Sequence, residues 1–211
     1  MGITEKDKEL ILLLCERKIS IEDFKTLTKF IANKEILKEL LYETKNRINE
    51  YNDNNYFEAL FWRLPKILTF KEKEEIYQEF LLQKFHHEHE EMASAFQTIF
   101  NNNTENIPIL LKAIDNIPEY LEDDDFKYPY VRKIIYAIGA QPQPESLLAL
   151  EKLASETNDI KIKELALHQL QKRKELGRWE YEKNRLLGTS NKLLPAMGVT
   201  SSSRQNRAST L

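Results

Sequence analysis

The chain has 211 residues, a formal charge of -3 from 31 Lys and Arg against 34 Asp and Glu, and only five glycines, where average usage gives about 15. β-rich folds need glycine at hairpins and bulges, and phosphate cradles need it clustered for close backbone approach, so all-β, Rossmann and P-loop architectures are excluded. No global basic field exists to recruit nucleic acid, and a composition 41% hydrophobic and 31% charged, rich in Leu, Ile, Lys and Glu, points to an all-α protein.

Apolar residues recur at spacings of three and four almost throughout, the mark of amphipathic helices. The pattern predicts a first helix near 5–18, a second near 21–32 opened by Ser20 with Asp23 three residues on, and a third over about 34–50. YNDNN at 51–55 supplies a turn, and FEALFWRL gives a short helix that Pro65 interrupts. Phe57, Phe61 and Trp62 read there as an apolar core stripe.

Helices follow near 71–83 and 85–100, read as adjacent or continuous, up to Asn101-Asn102-Asn103. Thr104 is the expected cap of a helix over about 105–116 that holds Pro108 in its first turn. After the acidic stretch LEDDDF, Pro129 is expected to open a helix through Gly139, with the glycine as its left-handed end before the QPQP turn. ESLLALEKLASE forms the next helix, and Asn158 or Asp159 caps DIKIKELALHQLQKRKEL. Residues 1–188 are expected to form one domain: an irregular N-terminal helical segment over 1–84, repeats over 85–176 and a capping helix over 177–188. The Ser-, Thr- and Asn-rich stretch 189–211 reads as a disordered tail.

Cys15 lies in the apolar run ILLLC, where a thiol packs as a small hydrophobe, and one cysteine forms no intrachain disulfide, which suits a reducing compartment. The start lacks the pattern of a signal peptide, and no window approaches the roughly 18 apolar residues of a membrane span. The expectation is a cytoplasmic protein without a membrane, nucleic-acid or cofactor partner. Charge is unevenly spread: 101–130 carry two basic and seven acidic groups, whereas 177–211 carry six and two. The acidic middle suits a basic protein partner.

A weak internal period runs through the second half. Val131, Ile135 and Gly139 map onto Ile162, Ala166 and Leu170 at an offset of 31, and the helices at 92–96 and 108–114 parallel those at 131–139 and 147–153 at an offset near 39. The run Tyr130-Val131-Arg132-Lys133-Ile134-Ile135-Tyr136-Ala137-Ile138-Gly139, a proline turn, LLALEKLA and IKIKELALHQL resembles the HEAT-repeat pattern over about 85–175. That resemblance implies an α-solenoid of antiparallel helix pairs that binds extended partners without shared chemistry. HHEHEEMASAFQTI followed by YLEDDDFKYPYVRKIIYAIGAQPQPESLLALEKLA is also similar to helical immunity proteins of bacterial polymorphic toxin systems, which bind and block one cognate toxin. A non-enzymatic binding protein is the implied function, with a generic HEAT scaffold or adaptor, or a helical enzyme acting on nucleic acid or through a metal, as the alternatives.

Two polar clusters carry the candidate contacts. On a helix, His86 shares a face with His89 and Glu90, and His87 with Glu90 and Glu91. Histidines four apart around a glutamate, or Glu-x-x-His on two helices, would build a zinc or di-iron site; neither spacing occurs, so these residues read as a polar helix start or as partner contacts. Glu122, Asp123, Asp124 and Asp125 lack the alternating ligands and glycine of a calcium loop. They read as helix caps and solvated charge, or, with Tyr120, Phe126, Tyr128 and Tyr130 interleaved, as an acidic grip with aromatic anchors on a basic toxin. The expected contact set is Tyr120, Glu122–Asp125, Phe126, Tyr128, Tyr130, His86, His87, His89 and Glu90. Arg178, Trp179, Tyr181, Lys183 and Arg185 form a smaller basic aromatic group, and the terminal Ser-x-Leu resembles a strand-adding ligand.

Overall fold

The first helix ends without a glycine. The computed structural model describes residues 3–51 and 54–175, and in it α1 (Glu5–Cys15) is opened by Thr4, whose hydroxyl accepts from the Asp7 N–H while the Asp7 carboxylate accepts from the Thr4 N–H. Arg17 adopts the left-handed conformation at φ 58° and closes the helix, its N–H donating to the Leu14 carbonyl and the Lys18 N–H to that of Leu13. This is the Schellman arrangement usually given to glycine, and it stops the helix three residues before the expected end. α2 (Ile21–Leu27) carries the expected Ser20–Asp23 box. It is shorter than the pattern predicts because the Thr28 hydroxyl donates to Asp7 at 2.5 Å and accepts from the Phe30 N–H, which draws the chain into an extended segment.

α3 (Lys34–Tyr51) is capped by the Asn33 side chain, which accepts from the Ile36 N–H. A short α4 (Asn55–Glu58) continues as a π-helical turn over Ala59–Arg63 and stops before Pro65, as proline dictates. The following extended stretch is tied to the one after α2: Ala32 donates to the Pro65 carbonyl and Ile67 to that of Ala32, both at 2.9 Å. Thr69 and Glu72 form a third capping box for α5 (Phe70–Phe80). α6 (His89–Thr98) is a separate helix, so the two elements expected between 71 and 100 are divided by a loop rather than continuous.

α7 (Asn106–Asp115) opens not on the Thr104 side chain but on Asn103, whose Oδ1 accepts from the Glu105 N–H. A 3-10 turn at Glu119–Leu121 leads to α8 (Asp124–Ala140), which begins five residues before Pro129. The Asp123 side chain accepts from the Asp125 N–H, and its carbonyl accepts from Phe126 and Lys127. A helical turn therefore exists before the proline, which removes one hydrogen bond from an established helix instead of starting one. α9 (Glu145–Glu156) and α10 (Ile160–Glu175) match their expected spans. Asp159 caps α10, accepting from the N–H groups of Lys161 and Ile162.

Among the described residues the fold is all-helical, with the isolated Ala32–Lys66 bridge as its one strand-like pairing. α8 is the central element: Tyr130, Val131, Ile134, Ile135, Ala137 and Ile138 are all fully buried, and the helix packs on α6, α7, α9 and α10. Burying each aliphatic side chain contributes roughly 1.5–3 kcal/mol. The positions matched at the 31-residue offset share this fate, since Ile162, Ala166 and Leu170 of α10 are buried as well. Cys15 is buried as expected, and the core forms a single cluster from Leu10 to Leu170. The readings at 177–188, including the Arg178–Arg185 group, at 189–211 and at the terminal Ser-x-Leu lie outside the described residues.

Gly139 differs from its expected role. It sits within α8 rather than at a left-handed end, and a Cβ there would lie 3.2 Å from Oε1 of Gln169 on α10. Glycine is used here for close approach between helices. Gly139→Ala is expected to be tolerated, because the end of the Gln169 side chain can move. Gly139→Val adds two further methyls at this half-buried contact with Gln169 and is expected to lower stability by about 1 kcal/mol, the low end for overpacking, read as a drop in melting temperature by circular dichroism.

Candidate functional site

The HHEHEE segment lies where the chain leaves α5 and enters α6, and two of its three histidines, His86 and His89, are core residues. His86 and His89 are 0% and 1% exposed. The His86 ring stacks between Phe57, with centroids 4.1 Å apart, and His89 at 4.2 Å. Nε2 of His86 donates to the Phe80 carbonyl at 2.8 Å while Nδ1 accepts from the Glu88 N–H. In His89, Nε2 donates to the Gln83 carbonyl at 2.6 Å and Nδ1 accepts from the Tyr120 hydroxyl at 3.0 Å. A carbonyl only accepts, so each ring carries a proton on Nε2, and burial, which disfavours a second proton, keeps each ring neutral.

All four ring nitrogens are thus engaged, and metal binding through either ring would break one of these hydrogen bonds. Desolvation on burial pushes His86 down to about 3 and His89 to about 4. Desolvation also raises the Tyr120 and Tyr130 hydroxyls well above the ordinary tyrosine value. The Tyr130 hydroxyl is buried with no hydrogen-bond partner among the described residues.

Burial corrects part of the expected contact set. A docked protein cannot reach His86, His89 or Tyr130, which belong to the core. Tyr120 is half-buried between His87 and His89. Glu90 forms an ion pair with Lys133 of α8 at 3.2 Å. His87 is exposed, its ring tilted at 35° against Tyr120, with Nδ1 2.9 Å from the Asn54 amide nitrogen. Sequence reasoning missed the partners that make this joint: Phe57 against His86, and Trp62, whose indole N–H donates to Glu88 at 2.6 Å. They lie 29 and 26 residues away, beyond any local spacing rule. Trp62 also leaves the expected core stripe, being 44% exposed, whereas Phe57 and Phe61 are buried.

The acidic run stands at the surface. Glu122, Asp123, Asp124 and Asp125 are exposed, and Phe126 is 58% exposed beside them. Two of the four carboxylates have structural partners: Asp123 caps α8, and Asp124 pairs with Lys161 at 3.0 Å. Glu122 and Asp125 have no ion pair among the described residues and face solvent. Tyr128 is half-buried and donates to Asp159 at 3.1 Å, while Lys161 lies over its ring at 4.2 Å. What remains available to a partner is Glu122, Asp125, Phe126 and, on the other side of Tyr120, His87.

No described helix is long and apolar enough to cross a membrane. Among the described residues no group of three or more His, Cys, Asp or Glu is placed to hold a metal ion. Comparison with protein-family models, with curated proteins and with solved structures finds no match for this chain.

The neutral histidines set a pH dependence. The unfolded chain takes up these protons near pH 6.5, whereas the folded chain does so only near 3 and 4. Their contribution is therefore fully present above pH 6.5 and is lost as pH falls from there toward 4, by up to about 1.4 kcal/mol per pH unit for each ring. Melting temperature is expected to fall between pH 6.5 and 5, and His86→Gln is expected to make that slope shallower, with His89 and the more weakly depressed His87 carrying the remainder. A slope unchanged in the variant means the proton uptake lies elsewhere.

Proposed function

We propose that the chain is a non-enzymatic protein-binding module, an immunity protein that occludes a basic toxin domain. The observation that carries this reading is the exposed aromatic Phe126 within the exposed acidic first turn of α8. An aromatic anchor ringed by carboxylates suits a basic surface: charge steers the encounter, and the desolvated ring holds the complex. Because α8 is the helix on which α6, α7, α9 and α10 pack, this turn is carried on the most extensively packed helix described.

The same packing supports a HEAT-like stack over α6–α10. α8 touches both α6 and α10, α7 touches α9, and successive helices from α7 onward touch each other, as two-layer repeats do. The N-terminal elements α1–α5 would form the irregular cap of that solenoid. In this reading the protein acts in the cytoplasm and needs no cofactor, and its mechanism is steric exclusion of the toxin's substrate.

The test is co-expression with the product of the gene directly upstream. Co-purification and rescue of growth are expected. Glu122→Lys, Asp125→Lys and Phe126→Ala together should weaken binding by at least about 30-fold, the equivalent of one interface hot spot. Asp123 and Asp124 are left intact because they cap α8 and pair with Lys161. Full rescue by the triple variant, or no binding of the upstream product, overturns the reading.

A further inference from the structure

Beside the N-terminal helices is a cavity of about 280 Å³ whose chemistry differs from the acidic strip. Its floor is Leu37, Phe61, Ile76 and Phe100, each at most 4% exposed. Three large apolar side chains stand open at its rim: Trp62 at 44%, Phe70 at 60% and Ile99 at 54% exposed. The only charged residues lining it are Lys66 and Lys73; no carboxylate does so, and neither lysine has an ion pair among the described residues.

Lys66 is held in place by its backbone. The residues on either side of it pair with Ala32 at 2.9 Å, and its ammonium donates to the Phe61 carbonyl. Burial pushes its pKa down to about 8, with the Lys73 charge acting in the same direction. A cation is thus desolvated against aromatic walls beside a second cation, with no anion to offset the cost. An incoming anion would relieve that cost, and an apolar tail would cover the open rim.

We propose that this cavity binds a medium-chain carboxylate, its alkyl tail against Leu37, Phe61, Ile76 and Phe100 and its head against Lys66 and Lys73. The volume is close to the lower end of small-ligand pockets, roughly 300–1,000 Å³, which favours a short single-chain molecule over a protein segment. None of these residues belongs to the acidic strip, so the proposal stands apart from the immunity reading.

Titration calorimetry of the full chain with octanoate and with octanol tests it. Octanoate is expected to bind, and octanol, with the same tail and no charge, to bind at least about tenfold more weakly. Lys66→Met should remove the preference for the carboxylate, and the exposed Lys73→Gln should reduce it, both with unchanged circular dichroism. Equal binding of acid and alcohol, a preference that survives in both variants, or no heat from octanoate up to its solubility limit overturns the proposal. Binding of a short Leu- and Glu-containing peptide without binding of octanoate also overturns it and assigns the cavity to a protein partner.

Discussion

Every helix leaves backbone carbonyls unmatched at its C-terminal end, and this chain has almost no glycine with which to turn and close them. A left-handed non-glycine residue and side chains from elsewhere take over that task. Arg17 takes the left-handed position after α1. His86 and His89 donate to Phe80 and Gln83 at the end of α5, and Asn116 donates to Leu82. Asn106 donates to Phe100 beyond α6, Gln141 to Phe96 and Ala137, and Arg173 to Gly139 near the end of α8. Most of these contacts join separate elements, so closing a helix end and assembling the tertiary fold are one event.

The consequence is a polar interior that is paired almost throughout. The Glu74 carboxylate accepts from Asn103 and Asn106, and Asn106 and the backbone of Asn103 reach Gln141. The Gln141 carbonyl accepts from Ser146, whose hydroxyl also accepts from Arg173. This chain of contacts runs from the middle of α5, through the Asn103 loop and the end of α8, to α10. A buried polar group without a partner costs about 1–3 kcal/mol, so the network fixes one arrangement of helices and penalises others. The stacked Phe57, His86 and His89 rings do the same between the N-terminal segment and α6.

With so many polar groups committed inside, charges that lack an opposite charge beside apolar surface are informative. Glu122 and Asp125 flank an exposed aromatic on the central helix, and Lys66 and Lys73 line an apolar hollow that holds no acid. The two places have opposite charge and different shapes, one a projecting turn and the other a cavity. On the two proposals they take different ligands, a basic protein surface and a small amphiphilic anion.

The sequence by itself determined the all-helical class, most helix spans, the Ser20 cap, a cap at Asn158 or Asp159 and the buried state of Cys15, because these follow from local spacing and from side chains reaching their own backbone. It also marked Glu122–Asp125 as solvated charge and helix caps, and the structure exposes all four. Only the tertiary structure decided that His86, His89 and Tyr130 face inward while Phe126 and Trp62 face out, that Gly139 serves close packing, and that Lys66 lies in an apolar cavity. A helix start rich in histidine and glutamate has the same local pattern whether its rings meet solvent or the ends of another helix. The difference lies in partners such as Phe57, Phe80 and Tyr120, which approach only when distant segments pack, and burial then sets which nitrogen carries a proton and which charge stays bare.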